Sequence, residues 1–443
     1  MKKIEMYLSV GNDNGNSEHD LVIDGELICQ PNVFAKVKEL PNLDEVNPEY
    51  VVKNIDSNLI VTINSPSVNP GLYYVGDYAR KSRHRTHDIK VGAENSKVDS
   101  DVPVVNTLGQ IAGYAVQKAY KDNPNLEIEI EVKVDMSTEL PVTQYSNENA
   151  KKFAEKFMKD NKHQVTVHVG TKRVNVNVLF EFVKVLPESV PLVFRLQKLN
   201  KKRLEKIEDE KERENFAKLI EEMFKEFNER YNSVEEKEGD KVKNIVKDDF
   251  IDGSYFKKKK ILHISVGEGT TEYPKTNDIV FDPEFIEGSN NGVGHAIKEA
   301  LTPFKKEFKF RTFTRQDYSN QLRDPNEKFH AEAMEYVETH LENEAEDILW
   351  YAKDEVEKAN NDIDIICVHG GGSILMKDYL ADELYNFGKE TRIKIFYVPE
   401  KFAVTLEAWG MHEFTNSKLF KMLKEKHQAS NNIENKDVET QNN

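Results

Sequence analysis

Apolar and polar residues alternate over several stretches in the first half of the chain, and a period of two predicts strands. Ile4, Met6, Leu8 and Val10 form one such run, which stops at Gly11-Asn12-Asp13-Asn14-Gly15-Asn16-Ser17. Two strands meet around Asp24-Gly25, a dipeptide suited to a hairpin turn. Leu126, Ile128, Ile130, Val132 and Val134 alternate with Glu127, Glu129, Glu131 and Lys133, the pattern of a strand with one wet face. That strand runs into Leu140, where Pro141 ends the ladder. Val165, Val167 and Val169 pair through Gly170 to Arg173 with Val174, Val176 and Val178 as a second hairpin, and residues 108–120 read as a helix.

The pattern changes past residue 186. Charge dominates residues 201–249, yet Phe216, Leu219, Ile220, Met223, Phe224 and Phe227 recur at helical spacing, which predicts a helix packed on its own lobe. Residues 235–247 read as an exposed loop, and Lys257 to Lys260 as a solvated strand entry. A strand at 261–264 leads into Gly267-Glu268-Gly269-Thr270-Thr271-Glu272. Helices are expected over 329–360, then a strand at 363–368, the turn Gly370-Gly371-Gly372-Ser373 and a helix at 374–387. A last strand is placed at 393–398 and a last helix at 417–426. The polar tail 429–443 is expected to be disordered.

Composition narrows the classes. A chain of 443 residues is too long for one comfortable core, so two lobes are expected. Hydrophobic residues at 38% and charged residues at 32% describe a lean globular protein. The formal charge of −16 argues against direct binding to DNA or to an anionic membrane, either of which needs a basic face. Against that background Arg80, Lys81, Arg83, His84, Arg85 and His87 stand out; such runs are mostly solvated, with a contact to an acidic neighbouring subunit as the alternative. Cys29 and Cys367 lie in apolar runs and are read as buried reduced thiols. With no leader and no run of about eighteen apolar residues, a soluble cytoplasmic protein is expected.

The three glycine turns carry the candidate chemistry. Each ends a strand, where backbone N–H groups are free to face an anion and glycine lets the backbone come close. Asp13 beside Asn14, Gly15, Asn16 and Ser17 would repel phosphate unless Mg²⁺ lay between them, so it is a candidate for the metal, acting through water. Gly267 and Gly269 followed by Thr270 and Thr271 suit a second phosphate clamp. Gly370, Gly371, Gly372 and Ser373 open a helix, whose N-terminus favours an anionic or flat ligand. Gln144, just past a strand end, could orient a water for attack on a γ-phosphate. Each feature alone also fits an ordinary turn or a solvated loop residue.

In this order the motifs resemble those of the actin-like ATPase superfamily, most closely the ParM-type plasmid-segregation actins. Residues 13–16 resemble the first phosphate motif, Leu140-Pro141-Val142-Thr143-Gln144-Tyr145 the first connecting motif, and residues 267–272 the second phosphate motif. Residues 288–294 fall at a glycine-containing connection, and 370–373 resemble the adenosine motif. Gln30-Pro31-Asn32 and residues 74–79 echo early elements of the first domain. The resemblance implies an α/β, actin-like (ribonuclease H-like) two-lobed fold with the nucleotide in the interdomain cleft. Domain I would span 1–182, domain II 183–395 with a charged helical insertion at 201–249, and 396–428 would return to domain I.

The resemblance further implies ATP, with GTP as the alternative, Mg²⁺, hydrolysis coupled to filament formation, and a small ParR-like DNA-binding adaptor, with no direct DNA or membrane binding. This chain departs from the pattern at Ser265, where an aspartate is usual; there Glu268 becomes the candidate second metal carboxylate. It departs again at Glu18, His19 and Asp20, where many relatives carry a lysine, and at Gln144, commonly a glutamate. A sugar kinase of the same fold would need an acid such as Asp135 or Glu139 in its cleft. A chaperone would need a further domain after Lys426, and a membrane-bound cytoskeletal relative an amphipathic anchor. A soluble actin-like filament unconnected with segregation is the remaining alternative.

Overall fold

A computed structural model of the chain describes residues 2–43, 46–89, 97–161, 163–238, 241–246 and 249–441. Two compact units result: Met1–Leu140 with Gln144–Pro187 and Glu407–Asn443, and Pro141–Thr143 with Glu188–Leu406.

Among the described residues, the first unit is built on nine strands: β1 (Lys2–Asn14), β2 (Glu18–Ile23), β3 (Glu26–Pro31), β4 (Phe34–Val37), β5 (Ile60–Ser65), β6 (Val68–Val75), β7 (Ile128–Leu140), β8 (His163–Val169) and β9 (Lys172–Pro187). Their order in the sheet is β3-β2-β1-β7-β9-β8-β5-β6-β4. β1, β7 and β9 are parallel, while β2 and β3 fold back antiparallel on β1. The expected Asp24-Gly25 turn holds, both residues adopting positive φ; the second hairpin turns more tightly than the expected Gly170 to Arg173, because Val169 already pairs with Lys172 and His168 with Arg173. On β7, Ile130, Val132 and Val134 are fully buried, as the alternation requires.

Helix Val102–Tyr120 covers this sheet, burying Val104, Val105, Leu108, Ile111, Ala112 and Ala115. It begins six residues before the expected start, with Pro103 in its first turn, where the missing N–H costs no helical hydrogen bond. Helix Leu406–Thr415 lies against β1 at Gly11, where any Cβ would sit 2.3 Å from the His412 backbone nitrogen. Cys29 differs from expectation. On β3 it falls on the opposite face from buried Ile28 and Gln30, so it is exposed, whereas Cys367 is buried and reduced as expected.

The second unit contains a hairpin, β10 (Ser233–Glu238) and β11 (Lys241–Val246), in place of the expected loop. Its main sheet comprises β12 (Lys260–Val266), β13 (Thr271–Glu272), β14 (Lys275–Asn277), β15 (Val280–Phe281), β16 (Gly288–Ser289), β17 (Ile365–His369) and β18 (Lys394–Tyr397). β12, β17 and β18 are parallel, and β13 and β14 flank the other side of β12 antiparallel. This repeats the plan of β1, with antiparallel strands on one side and parallel strands on the other.

Both faces of this sheet are covered, which parallel strands require. One face packs on helices Val293–Glu307, His330–Lys358 and Gly371–Thr391, the other on helix Glu210–Tyr231. The charged stretch thus does supply core: Ile220, Met223, Phe224 and Phe227 are buried, and Phe224 lies 5.7 Å from Phe396. The last helix runs Lys418–Gln441; side chains beyond Ser430, on which the expected disorder of 429–443 bears, lie outside the described set.

Candidate functional site: three glycine turns

β1 carries its ladder through Asn14, and Gly15, Asn16 and Ser17 turn it into β2. Asn12, fully buried, organises the turn from below. Its Nδ2 donates to Thr107 Oγ1 at 3.1 Å, and its Oδ1 accepts from Asn14 Nδ2 at 3.0 Å and from His19 Nε2 at 2.7 Å. Burial holds His19 neutral, its pKa lowered to about 3, with Lys97 adding to the shift. Within the stretch Glu18, His19 and Asp20, where the sequence resemblance implies a lysine, His19 is therefore an uncharged brace. Asn32 closes the turn from the side, donating through Nδ2 to the Gly15 carbonyl at 2.6 Å. Asp13 is half-buried at the strand end, and the Asn14 Oδ1, buried, has no hydrogen-bond partner among the described residues. The early echoes also meet: Gln30 Oε1 accepts the Asp77 N–H at 3.0 Å, packed where a Cβ on Gly76 would clash.

The second and third turns form one assembly. Gly267 N–H donates to the Thr270 carbonyl at 2.9 Å, closing the loop after β12. Gly370, at φ +88°, and Gly372 both press on that loop's root. A Cβ on Gly370 would lie 2.5 Å from the Val266 carbonyl oxygen, and one on Gly372 would lie 2.8 Å from that of Gly267. These two glycines are thus demanded by packing. Gly371 is different: it is exposed at the start of helix Gly371–Thr391, and a Cβ there would meet only Val404 at 3.7 Å. Ser373 is buried with its hydroxyl donating to the Gly370 carbonyl at 2.8 Å, so it holds the turn.

The connection at 288–294 crosses this assembly. Gly294 N–H donates to the Glu268 carbonyl at 2.6 Å, His295 Nε2 donates to the Gly269 carbonyl at 2.9 Å, and Thr271 Oγ1 donates to that of Asn291 at 2.8 Å. The Glu268 carboxylate pairs with Arg315 at 2.5 Å. Ser265, half-buried on β12, offers a hydroxyl where the motif pattern has a carboxylate.

The connecting motif is held by Glu272. One carboxylate oxygen accepts the Val142 N–H at 2.7 Å and the other the Thr143 hydroxyl at 3.1 Å. Gln144 Oε1 accepts the Lys97 N–H at 3.0 Å, which fixes the amide while leaving a second lone pair and both side-chain N–H groups. Glu139 is buried on β7. Asp135 is engaged by Lys424 at 2.8 Å, and Lys424 also reaches Glu181 at 2.6 Å. Sequence reasoning did not single out Asn12, Thr107, His19 and Asn32 as a network, nor Glu272 as the anchor.

The second and third turns are adjacent in one unit, the first turn and Gln144 lie in the other, and in both units the turns follow the carboxyl ends of parallel strands, the usual ligand side of an open α/β sheet. This is the actin-like fold, a mixed α/β architecture. The actin-like protein Alp7A superposes with a TM-score of 0.60 at 15% identity, over 96% of this chain and all (100%) of that one. ParM of Bacillus thuringiensis, solved with ATP, gives 0.54 at 15% identity over 94% and 99%. Ta0583, an archaeal actin homolog, gives 0.55 at 15% identity over 92% and 99%. No protein-family model and no curated protein sequence matches the chain. No helix among the described residues is long and apolar enough to cross a membrane.

Proposed function

We propose that this chain is a nucleotide-binding, filament-forming actin-like ATPase. The observation that carries the reading is the doubled plan: β1 and β12 each lie between an antiparallel and a parallel neighbour, and each ends in a glycine turn. The three turns would serve one nucleoside triphosphate, ATP or GTP, with Asn14, Gly15, Asn16 and Ser17 on one side and Gly267, Gly269, Thr270 and Thr271 on another. Gly371, the glycine not required by packing, would let the base or sugar approach the backbone. The fold neighbour ParM, solved with ATP, supports the ligand class.

Mg²⁺ fits Asp13, a half-buried carboxylate beside a turn, because this ion takes one or two carboxylates, phosphate oxygens and water. Glu268 would have to exchange Arg315 to join it. Gln144 would orient the attacking water, its rotamer already fixed by Lys97. The kinase reading has less support, since Asp135 is held in an ion cluster with Lys424. The resemblance to segregation actins, with the charge of −16, favours plasmid DNA movement through a basic adaptor protein in the cytoplasm.

Calorimetric titration should give one ATP per chain, dependent on Mg²⁺, with phosphate released on incubation. Absence of nucleotide binding would end the reading. Plasmid pull-down should need the adaptor; tight DNA binding by the chain alone would contradict the segregation role.

A further inference from the structure

The basic residues after helix Gly76–Lys81 are presented, not loose. The His87 ring stacks on Phe34 at 4.9 Å and the two residues exchange backbone hydrogen bonds, while His84 meets Tyr74 edge-on at 5.5 Å. Between and beside these anchors Arg83 and Arg85 are exposed and make no ion pair among the described residues, whereas Arg80 and Lys81 both pair with Asp77. Arg83 sits at φ +61°, turning the chain so that the two guanidinium groups stand clear. Another basic concentration, around a cavity lined by Lys258, Lys259, Lys260 and Lys275, is already paired, Lys259 with Asp364, Lys260 with Asp362 and Lys275 with Asp282.

Helix His330–Lys358 offers the complement. Its buried face carries Ala333, Val337, Leu341, Ala345, Ile348 and Ala352. The exposed face carries Glu342, Glu346, Trp350, Asp354 and Glu357, a stripe at helical spacing. Trp350 is 62% exposed, and Tyr351 meets it edge-on at 4.9 Å while itself stacked on Tyr273. A large indole ring held in the open and framed by carboxylates suits a guanidinium, which can lie over the ring and reach an acid at its edge.

We propose that this face docks the Arg83–Arg85 loop of a second copy of the same chain. Charge complementarity selects that occupant: copies with a formal charge of −16 repel one another, so self-association needs a place where one copy offers unpaired cations to another's acids. Arg and Trp are also the residues that most often dominate binding energy at an interface. The two patches differ, so the contact is heterologous and repeats from copy to copy. The inference rests on the filament reading and names the contact that would build the filament.

Charge reversal tests it. Arg83→Glu with Arg85→Glu should raise the concentration needed for assembly at least about tenfold, and Glu346→Lys with Asp354→Lys should do the same. Melting temperature and ATP affinity should stay at the parent values in both. An equimolar mixture of the two variants should assemble near the parent concentration, since each reversed patch then meets its opposite. Unchanged assembly of either variant, or no rescue on mixing, overturns the contact while leaving the filament reading intact. If the parent chain does not assemble, the filament reading itself fails, and cross-linking judges the contact alone. In a Cys29→Ser background, Arg85→Cys mixed with Asp354→Cys should form disulfide dimers far above either variant by itself. No enrichment in the mixture overturns the proposal.

Discussion

Glu272 accepts the Val142 N–H at 2.7 Å, and both groups are buried. The strand after the second glycine turn thereby fixes the Pro141–Thr143 segment that leads into Gln144. Glu272→Ala would leave a buried N–H without its acceptor, at a cost of about 1–3 kcal/mol. Thermal unfolding should show a clear drop in melting temperature. Glu272→Gln, which can still accept from Val142, should recover most of it.

The three glycines of the third turn should separate by role. Gly370→Ala and Gly372→Ala put a Cβ against backbone oxygens of Val266 and Gly267, and Gly370 also has positive φ. Both should be strongly destabilised, by roughly 2 kcal/mol or more. Gly371→Ala has ordinary contact distances and should keep the parent's melting temperature. If its backbone faces the nucleotide, it should weaken ATP binding. Equal affinity in Gly371→Ala and the parent chain would remove that residue from the site.

Much of this architecture can be read from the chain. The alternation on β7 and the Asp24-Gly25 turn need only local rules, because neighbours in sequence are neighbours in the ladder. The helical stripe from Phe216 to Phe227 is equally local, and it holds despite the charge around it. The doubled plan escapes a residue-by-residue reading because the strand arrangement around β1 and β12, not the sequence, repeats: β13, the antiparallel neighbour of β12, has two residues where β2 has six. The geometry of the candidate site is less legible. Glycines mark sharp turns, but whether packing or a ligand requires each one depends on what lies opposite, as Gly370 and Gly371 demonstrate. The Asn12–His19 brace looks like solvated turn residues until burial is known. Glu272 with Val142, and Glu268 with Arg315, join residues far apart in the chain, and no local period announces them.

Acid should destabilise the second unit through a histidine pair. His263 and His369 are fully buried with ring centroids 5.7 Å apart. Burial lowers both pKa values, His263 further by the neighbouring His369, and His369 to about 3. The folded chain thus binds fewer protons than the unfolded chain, whose histidines titrate near 6.5. Their contribution is complete above about pH 6.5 and is lost as pH falls toward 3, by up to about 1.4 kcal/mol per pH unit for each histidine. Denaturant titrations from pH 7.5 to 4.5 should show this slope, and His263→Asn should reduce it. A slope unaffected by the substitution would show that other groups carry it.

Hydrolysis should depend on Gln144 and nucleotide binding on Asp13. Gln144→Ala should slow phosphate release about ten- to a thousand-fold with ATP affinity retained, whereas Asp13→Ala should weaken Mg²⁺-dependent binding itself. Unchanged turnover in Gln144→Ala would shift attention to Glu139.

The central claim is that nucleotide drives this chain into filaments. Sedimentation of the purified protein, with negative-stain microscopy of the pellet, tests it most directly, comparing Mg²⁺-ATP, Mg²⁺-GTP, Mg²⁺-ADP and no nucleotide. The account predicts filaments in the pellet with a triphosphate and Mg²⁺, and their loss when Mg²⁺ is chelated. A chain that stays in the supernatant under every nucleotide across salt and concentration, or that pellets equally with none, would contradict it.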